Sequence, residues 1–372
     1  MVLCDLGAEV IKIEMPGTGD DSRGYGPFIK NESAYFMSLN RGKKSLTLNL
    51  KKKQSRKILK DLVKISDVLV ENFRPGTMEK FGVGYEVLRK INPRLIYASC
   101  SGFGCTGPYA QKPAYDITVQ GMGGIMSITG EPDGPPVRVG TSIGDIAAGL
   151  FTAIGILSAL YVREKTGRGQ KIDVSMLDCQ VAILENAIAR YMASGIVPRP
   201  LGTRHPSITP FEAFESKDDY VIIAVGNDAL WVRFCKVIGE PKLAFYPEFS
   251  TNTLRTENYS KLRPLIAKII KTKTTGEWIK IFEEEGIPCA PINTVDKILE
   301  DPQIQSRRMI VELKHPKAGK LKVAGLPIKL SETPGSVENP APLLGQHTED
   351  ILSNILKINF EKIQQLRKEQ VI

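Results

Sequence analysis

The sequence is poor in the residues on which much enzyme chemistry depends. Of 372 residues only three are histidines, His205, His315 and His347. A Ser-His-Asp or Cys-His triad would have to use one of them. None lies near a G-x-S-x-G nucleophile elbow, which disfavours a hydrolase. The six cysteines, Cys4, Cys100, Cys105, Cys179, Cys235 and Cys289, are scattered and form no C-x-x-C pair. That spacing argues against a zinc site or a disulfide framework and fits a reducing cytoplasm. There is no Walker A loop. The one glycine cluster, Gly121, Gly123 and Gly124, follows no convincing strand and reads first as close backbone packing. No apolar run reaches the roughly 18 residues of a membrane span. The best candidate, Ile146 to Leu160, leads into Arg163, Glu164 and Lys165 and reads as a buried core helix. No signal peptide, internal repeat or low-complexity tract stands out.

What remains is an ordinary soluble composition, 42% hydrophobic and 24% charged. The length suits about two domains. A net charge of +9 has two readings, a solvated lysine surface or an anionic ligand. No zinc-finger spacing, RNP motif or basic heptad helix points to nucleic acid, whereas a small phosphorylated cofactor suits the charge.

Strand and helix patterns alternate along the first part of the chain. Residues 9–14, 45–50, 67–71 and 95–99 read as strands from their β-branched or alternating apolar residues. Lys52 to Lys64 and Met78 to Lys90 read as helices, the first with Ile58, Leu59, Leu62 and Val63 as its apolar stripe. Such alternation predicts a parallel sheet with crossover helices, whose functional loops lie beyond the carboxyl ends of the strands. Here those loops are Asn72 to Gly76 and Cys100 to Gly104. Prolines at Pro198, Pro200, Pro206 and Pro210 mark a boundary. Beyond it come a strand at 220–225 and helices near Ala229–Ile238, Pro264–Lys271 and Thr275–Glu285, with Pro264 in a first turn. Strands and loops resume from Pro302, and a last helix covers Glu361–Gln370.

Asp145 is the leading candidate for chemistry. It follows Gly140 to Gly144 and directly precedes an apolar helical run. A carboxylate there is stabilised by the helix dipole and free N–H groups. It is either a plain N-cap or a reacting carboxylate whose oxyanion the same N–H groups could hold. His205, within Gly202 to His205 at the boundary, is either structural or functional; His347 reads as structural.

Several motifs in order and spacing resemble the class III CoA-transferases. They are Leu6 to Glu14, Val70 to Gly76, Ser101 to Pro108, Tyr115-Asp116, Gly144-Asp145, Lys165 to Gln170 and Pro342 to His347. Within that family the stretches around Gly202 to His205 and Gly226-Asn227 resemble the succinyl-CoA:glutarate type. The resemblance implies an α/β fold. It implies a large Rossmann-like CoA-binding domain with a parallel sheet, the domain being built from both chain ends, residues 1–200 and 302–372. A smaller central α+β domain covers 201–301. It also implies an interlocked homodimer, and a first strand preceding residue 1.

The activity implied is transfer of coenzyme A between carboxylic acids, with Asp145 as the nucleophile of an aspartyl-CoA thioester. No metal or redox cofactor is implied. Implied CoA contacts are Leu48, Lys51, Asn72, Phe73, Arg74, Lys80, Lys112 and Tyr115. Arg204 and His205 stand where a flexible glycine loop covers the acid in the formate-transferring members. That difference argues against oxalate or formate and leaves two readings of Arg204: with His205 it holds the distal carboxylate of an acid such as glutarate or succinate, or it pairs with CoA or a surface acid. The family also contains racemases, which carry a histidine where this chain has Tyr115. Without it, proton exchange at the α-carbon lacks a partner of near-neutral pKa. A racemase and a non-catalytic CoA-binding protein are the rival readings.

Overall fold

The computed structural model describes residues 1–372 and divides into two compact units. Unit 1 comprises residues 1–124, 140–185 and 299–372, and unit 2 comprises 125–139 and 186–298. The boundaries expected after residues 200 and 301 stand beside chain crossings at 185/186 and 298/299. The proline-rich stretch lies inside unit 2, where the Gly202 N–H donates to the Gly130 carbonyl at 2.9 Å and ties residues 125–139 to it.

Unit 1 is a mixed α/β body with parallel pairing. Strand β1 (Ile11–Glu14) pairs in parallel with β2 (Lys44–Thr47), in the register Ile11 with Lys44. Strands β3 (Val68–Glu71), β4 (Ile96–Ser101) and β5 (Lys171–Ser175) form a second parallel sheet in the order β3-β4-β5. The central strand β4 is covered on both faces, as parallel strands are; Ile96, Tyr97 and Ala98 are all buried.

Helix α1 (Lys53–Ile65) buries Ile58, Leu59, Leu62 and Val63, the stripe its spacing predicts. Ile58 and Leu62 pack with Leu46 and Leu48 against Ile351, Leu352, Ile363, Leu366 and Val371, so both ends of the chain build one core. Each such side chain contributes about 1.5–3 kcal/mol when fully buried. A buried ion pair, Arg41 Nη2 to Asp5 Oδ2 at 2.6 Å, joins the first turn of chain to the loop before β2.

The helix expected over Met78–Lys90 is two pieces, Thr77–Lys80 and α2 (Tyr85–Ile91). Gly82 sits between them at φ 68°, a left-handed conformation that ends a helix. Helices α3 (Asp116–Met122), α4 (Ile143–Thr166) and α5 (Met176–Ala182) follow, and they position the candidate site. The core-helix reading of α4 holds for one of its faces. Gly144, Ala148, Thr152, Ile156, Ala159 and Arg163 are buried along one stripe, but Ile146, Leu150, Ile154, Leu157 and Tyr161 are exposed along another. The helix is also long and apolar enough to cross a membrane by length and composition.

Unit 2 carries an antiparallel sheet of β6 (Phe211–Glu215), β7 (Tyr220–Ala224) and β8 (Cys289–Pro291), in the order β8-β7-β6. Its helices α6 (Asp228–Val237), α7 (Tyr259–Ile270) and α8 (Thr275–Glu284) bury Trp231, Phe234, Leu262, Ile266, Trp278 and Phe282 in one core with Phe214, Val221 and Ile223. Thr274 and Glu277 close a reciprocal capping box on α8. Pro264 lies inside α7 rather than in its first turn, because the helix already begins at Tyr259.

Candidate functional site

The carboxyl ends of three strands in unit 1 open onto a cleft of about 460 Å³. Met15, Gly19 and Asp20 follow β1, Leu48 to Lys51 follow β2, and Asn72 and Phe73 follow β3; Phe81 closes one side. The place agrees with the rule for parallel sheets. Glu14 anchors the rim. Burial would raise its pKa, but bonds from Arg23 and Ser45 and the Arg23 charge hold the carboxyl below its usual range. Arg23 reaches both Glu14 oxygens, at 2.7 and 2.9 Å, and lies over the Phe36 ring. Asp20, held by Lys12 and Ser22 against the effect of burial, is depressed to about 2. Both carboxylates are therefore ionised and paired near neutral pH.

Of the residues expected at a CoA site, Leu48, Lys51, Asn72 and Phe73 line this cleft. Leu48 is buried beneath it, while Lys51 and Phe73 are exposed. The Asn72 side-chain N–H donates to the Cys100 carbonyl and ties the ends of β3 and β4 together. Arg74, Lys80, Lys112 and Tyr115 are exposed and lie outside the cleft lining. Lys112 rests over the Tyr109 ring at 3.8 Å. Sequence reasoning missed Met15, Asp20 and Phe81. The glycine-containing loop after β1 was the available signal for the first two.

Asp145 stands on the first turn of α4, as its third residue rather than its cap; the cap position is Ser142, whose side chain bonds nothing there. The turn is gripped from α3. Asp116 Oδ1 accepts the Gly144 N–H at 2.9 Å, and Asp116 Oδ2 accepts Gln120 Nε2 at 2.8 Å. Asp116 and Gln120 are both buried. The Asp145 side chain reaches solvent, yet partial burial, then the nearby Asp116 charge, pushes its pKa above the ordinary carboxylate value. The helix dipole works in the opposite direction and is outweighed. No hydrogen bond contributes to this shift, so the oxygens of Asp145 are uncommitted.

Arg204 and His205 belong to unit 2. The Arg204 guanidinium lies 3.5 Å over the Tyr259 ring and donates from Nη2 to the Thr256 carbonyl at 3.3 Å. Its buried Nε has no partner. His205 Nδ1 accepts the Ser207 N–H at 3.1 Å, and its ring packs on Phe211, so it is engaged in a local turn. Gly123 explains the glycine cluster as close packing, since a Cβ there would fall 2.2 Å from Gln180 Cγ.

Comparison with known proteins places these features in a family. The family described as CoA-transferase family III matches residues 1–348. An acetyl-CoA:oxalate CoA-transferase from Acetobacter aceti is 46% identical over 93% of this chain and 88% of its own. A succinyl-CoA:glutarate CoA-transferase from Mus musculus is 40% identical over 100% of this chain and 86% of its own. A solved structure of a CaiB/BaiF family protein from Brucella suis superposes with a TM-score of 0.84 at 39% identity, covering 95% of this chain and 93% of that one.

Proposed function

The chain belongs to CoA-transferase family III, and from that membership we propose that it moves coenzyme A from an acyl-CoA donor such as succinyl-CoA to a carboxylic acid through an aspartyl thioester on Asp145. The observation that carries the residue assignment is the Asp145 carboxylate itself. It sits on a helix first turn, unbonded, while the neighbouring Asp116 holds the backbone beneath it.

The sequence of bonds follows from that carboxylate. An Asp145 oxygen attacks the thioester carbonyl; the C–S bond breaks and CoA leaves as thiolate, giving a mixed anhydride. The thiolate attacks the aspartyl carbonyl and releases the donor acid as carboxylate. The acceptor carboxylate attacks the resulting aspartyl thioester, and thiolate leaves again. Thiolate attack on the acceptor carbonyl then restores Asp145. No proton is gained or lost overall, and water must be kept from the anhydride.

Coenzyme A is assigned to the cleft, with Leu48, Lys51, Asn72 and Phe73 on its wall and Arg74, Lys80, Lys112 and Tyr115 as contacts beyond it. Lys80 would meet a phosphate as a point charge rather than a two-pronged fork. The acceptor is assigned to the dicarboxylic acids. Relatives are named for oxalate, glutarate and mesaconate, so the altered glycine loop gives no ground for leaving oxalate out of a screen. Arg204, with a buried N–H still unspent, is the residue assigned to the second carboxylate, with His205 beside it in sequence. A homodimer, interlocked as the family resemblance implies, and a cytoplasmic setting complete the proposal. The exposed apolar stripe of α4 supports the dimer.

Replacing Asp145 by asparagine tests the reading. Transfer from succinyl-CoA falls by more than about a thousandfold with the fold retained, because a covalent nucleophile is lost. Activity within about tenfold of wild type would refute it.

A further inference from the structure

Beneath the Asp145 turn lies a buried amide with nothing to bond to. Gln180, on α5, is 0% exposed, and neither its Nε2 nor its Oε1 has a hydrogen-bond partner. Buried amides are ordinarily satisfied, so an orphaned one calls for an explanation. Two glycines make room for it. A Cβ on Gly123 would lie 2.2 Å from Gln180 Cγ and 2.8 Å from its Cβ, so the stem is seated where no side chain can stand. A Cβ on Gly144 would lie 3.6 Å from Gln180 Oε1 and 3.1 Å from Asp116 Oδ1. The amide and the Asp116 carboxylate thus flank the same Gly144 Cα, one residue before Asp145.

Asp116 is already committed, one oxygen to the Gly144 N–H and the other to Gln120. Gln120 is committed as well, donating to Asp116 and to the Thr141 carbonyl. The uncommitted donor of this buried set is Gln180 Nε2. A terminal amide exchanges its N–H₂ and carbonyl ends by rotating, without moving its stem. During transfer Asp145 passes from carboxylate to neutral acyl group and back, so the balance of charge around Gly144 changes twice in each turnover.

We propose that Gln180 is a positioning residue for the transfer, its amide being the reserve partner that steadies the Asp116–Gly144 grip as Asp145 is acylated. The inference rests on Asp145 as nucleophile and goes beyond it. It explains why an orphaned amide is kept in a core where an apolar side chain of the same shape would fit more cheaply.

The test compares wild type with Gln180→Met, which keeps the shape and removes the polar pair, and Gln180→Glu, which burial holds protonated and which keeps one donor and one acceptor. Each is mixed with succinyl-CoA, quenched, and the peptide holding Asp145 weighed. Melting temperature, kcat, KM for succinyl-CoA and the pH profile are measured alongside. Gln180→Met should melt no lower than wild type and keep its KM, while kcat and the rate of adduct formation fall by about tenfold or more. Gln180→Glu should keep kcat within about threefold of wild type across the acid and neutral range, because the protonated carboxyl still offers a donor and an acceptor. A Gln180→Met enzyme with wild-type kcat, or a Gln180→Glu enzyme as slow as a folded Gln180→Met, overturns the inference; if the Met variant does not fold, a Gln180→Glu enzyme that melts like wild type but loses about tenfold or more in kcat overturns it. If wild type itself forms no adduct on Asp145, the nucleophile assignment falls, a different result from an adduct formed at full rate in Gln180→Met.

Discussion

Asp116 is where structure and catalysis can be separated by two substitutions at one position. Its carboxylate is 8% exposed and accepts two hydrogen bonds, from the Gly144 N–H at 2.9 Å and from Gln120 Nε2 at 2.8 Å. Asp116→Ala leaves both donors buried and unsatisfied. At about 1–3 kcal/mol for each, the cost is about 2–6 kcal/mol, and the melting temperature should drop clearly. Asp116→Asn keeps one oxygen for Gly144, but Gln120 can turn to accept from the new N–H₂ only by giving up its bond to the Thr141 carbonyl, so the cost should be about 1–2 kcal/mol, below that of alanine.

The electrostatic effect differs from the structural one. Asp145 is raised first by burial and second by the Asp116 charge. Asparagine removes only the second cause. Transfer needs the Asp145 carboxylate, so activity is present above its pKa and lost as pH falls through it. The acid limb of kcat/KM should therefore move to lower pH in Asp116→Asn, though the burial contribution remains. Initial rates with succinyl-CoA across the acid range would show it. A folded variant with an unmoved limb would mean that the two carboxylates do not interact.

Other substitutions probe separate parts of the account. Arg204→Ala should raise KM for glutarate about tenfold to a hundredfold, the worth of a charge-assisted pair, and spare butyrate; equal loss for both acids would remove Arg204 from the second carboxylate. With tyrosine at position 115, the enzyme should not exchange the α-proton of a 2-methylacyl-CoA in heavy water. Rapid enzyme-dependent deuterium uptake would contradict this. Arg41→Met strands Asp5 in the core and should cost about 3–5 kcal/mol, whereas adding Asp5→Leu should recover much of the loss. If the double variant is no more stable than the single, the pair is not what holds that corner.

The parts of the fold written in local patterns were legible. Alternation in residues 45–50 and the stripe Ile58, Leu59, Leu62 and Val63 placed β2 and α1. The loops after the strands led to Asn72 and Phe73 on the cleft. Local exceptions were harder. One left-handed glycine, Gly82, splits an otherwise continuous helical pattern. Helix α4 begins at Ile143, before the apolar run, because Asp116 supplies from another helix a partner that no neighbouring residue provides.

The outer stripe of α4 shows the limit of hydropathy. An apolar run gives the amount of greasy surface, not which side is covered. Asp116 carries the Asp145 turn and Gln180 lies against it; the Tyr115-Asp116 motif marked the first without giving its role, and nothing local marked the second. Asp116 sits in a segment broken by glycines, and Gln180 looks like any polar residue on a short helix. Their meaning comes from packing between segments distant in sequence, to which Gly123 and Gly144 give the clearest hint.

The central claim is that Asp145 carries the coenzyme A. Incubation with succinyl-CoA, acid quench and mass analysis of the proteolytic peptide spanning Asp145 tests it directly. The account predicts that the wild-type peptide gains the mass of coenzyme A less one water, that the adduct disappears on adding an acceptor acid, and that Asp145→Asn never forms it. A wild-type peptide that stays unmodified while transfer proceeds, or an adduct on a different carboxylate, would contradict it.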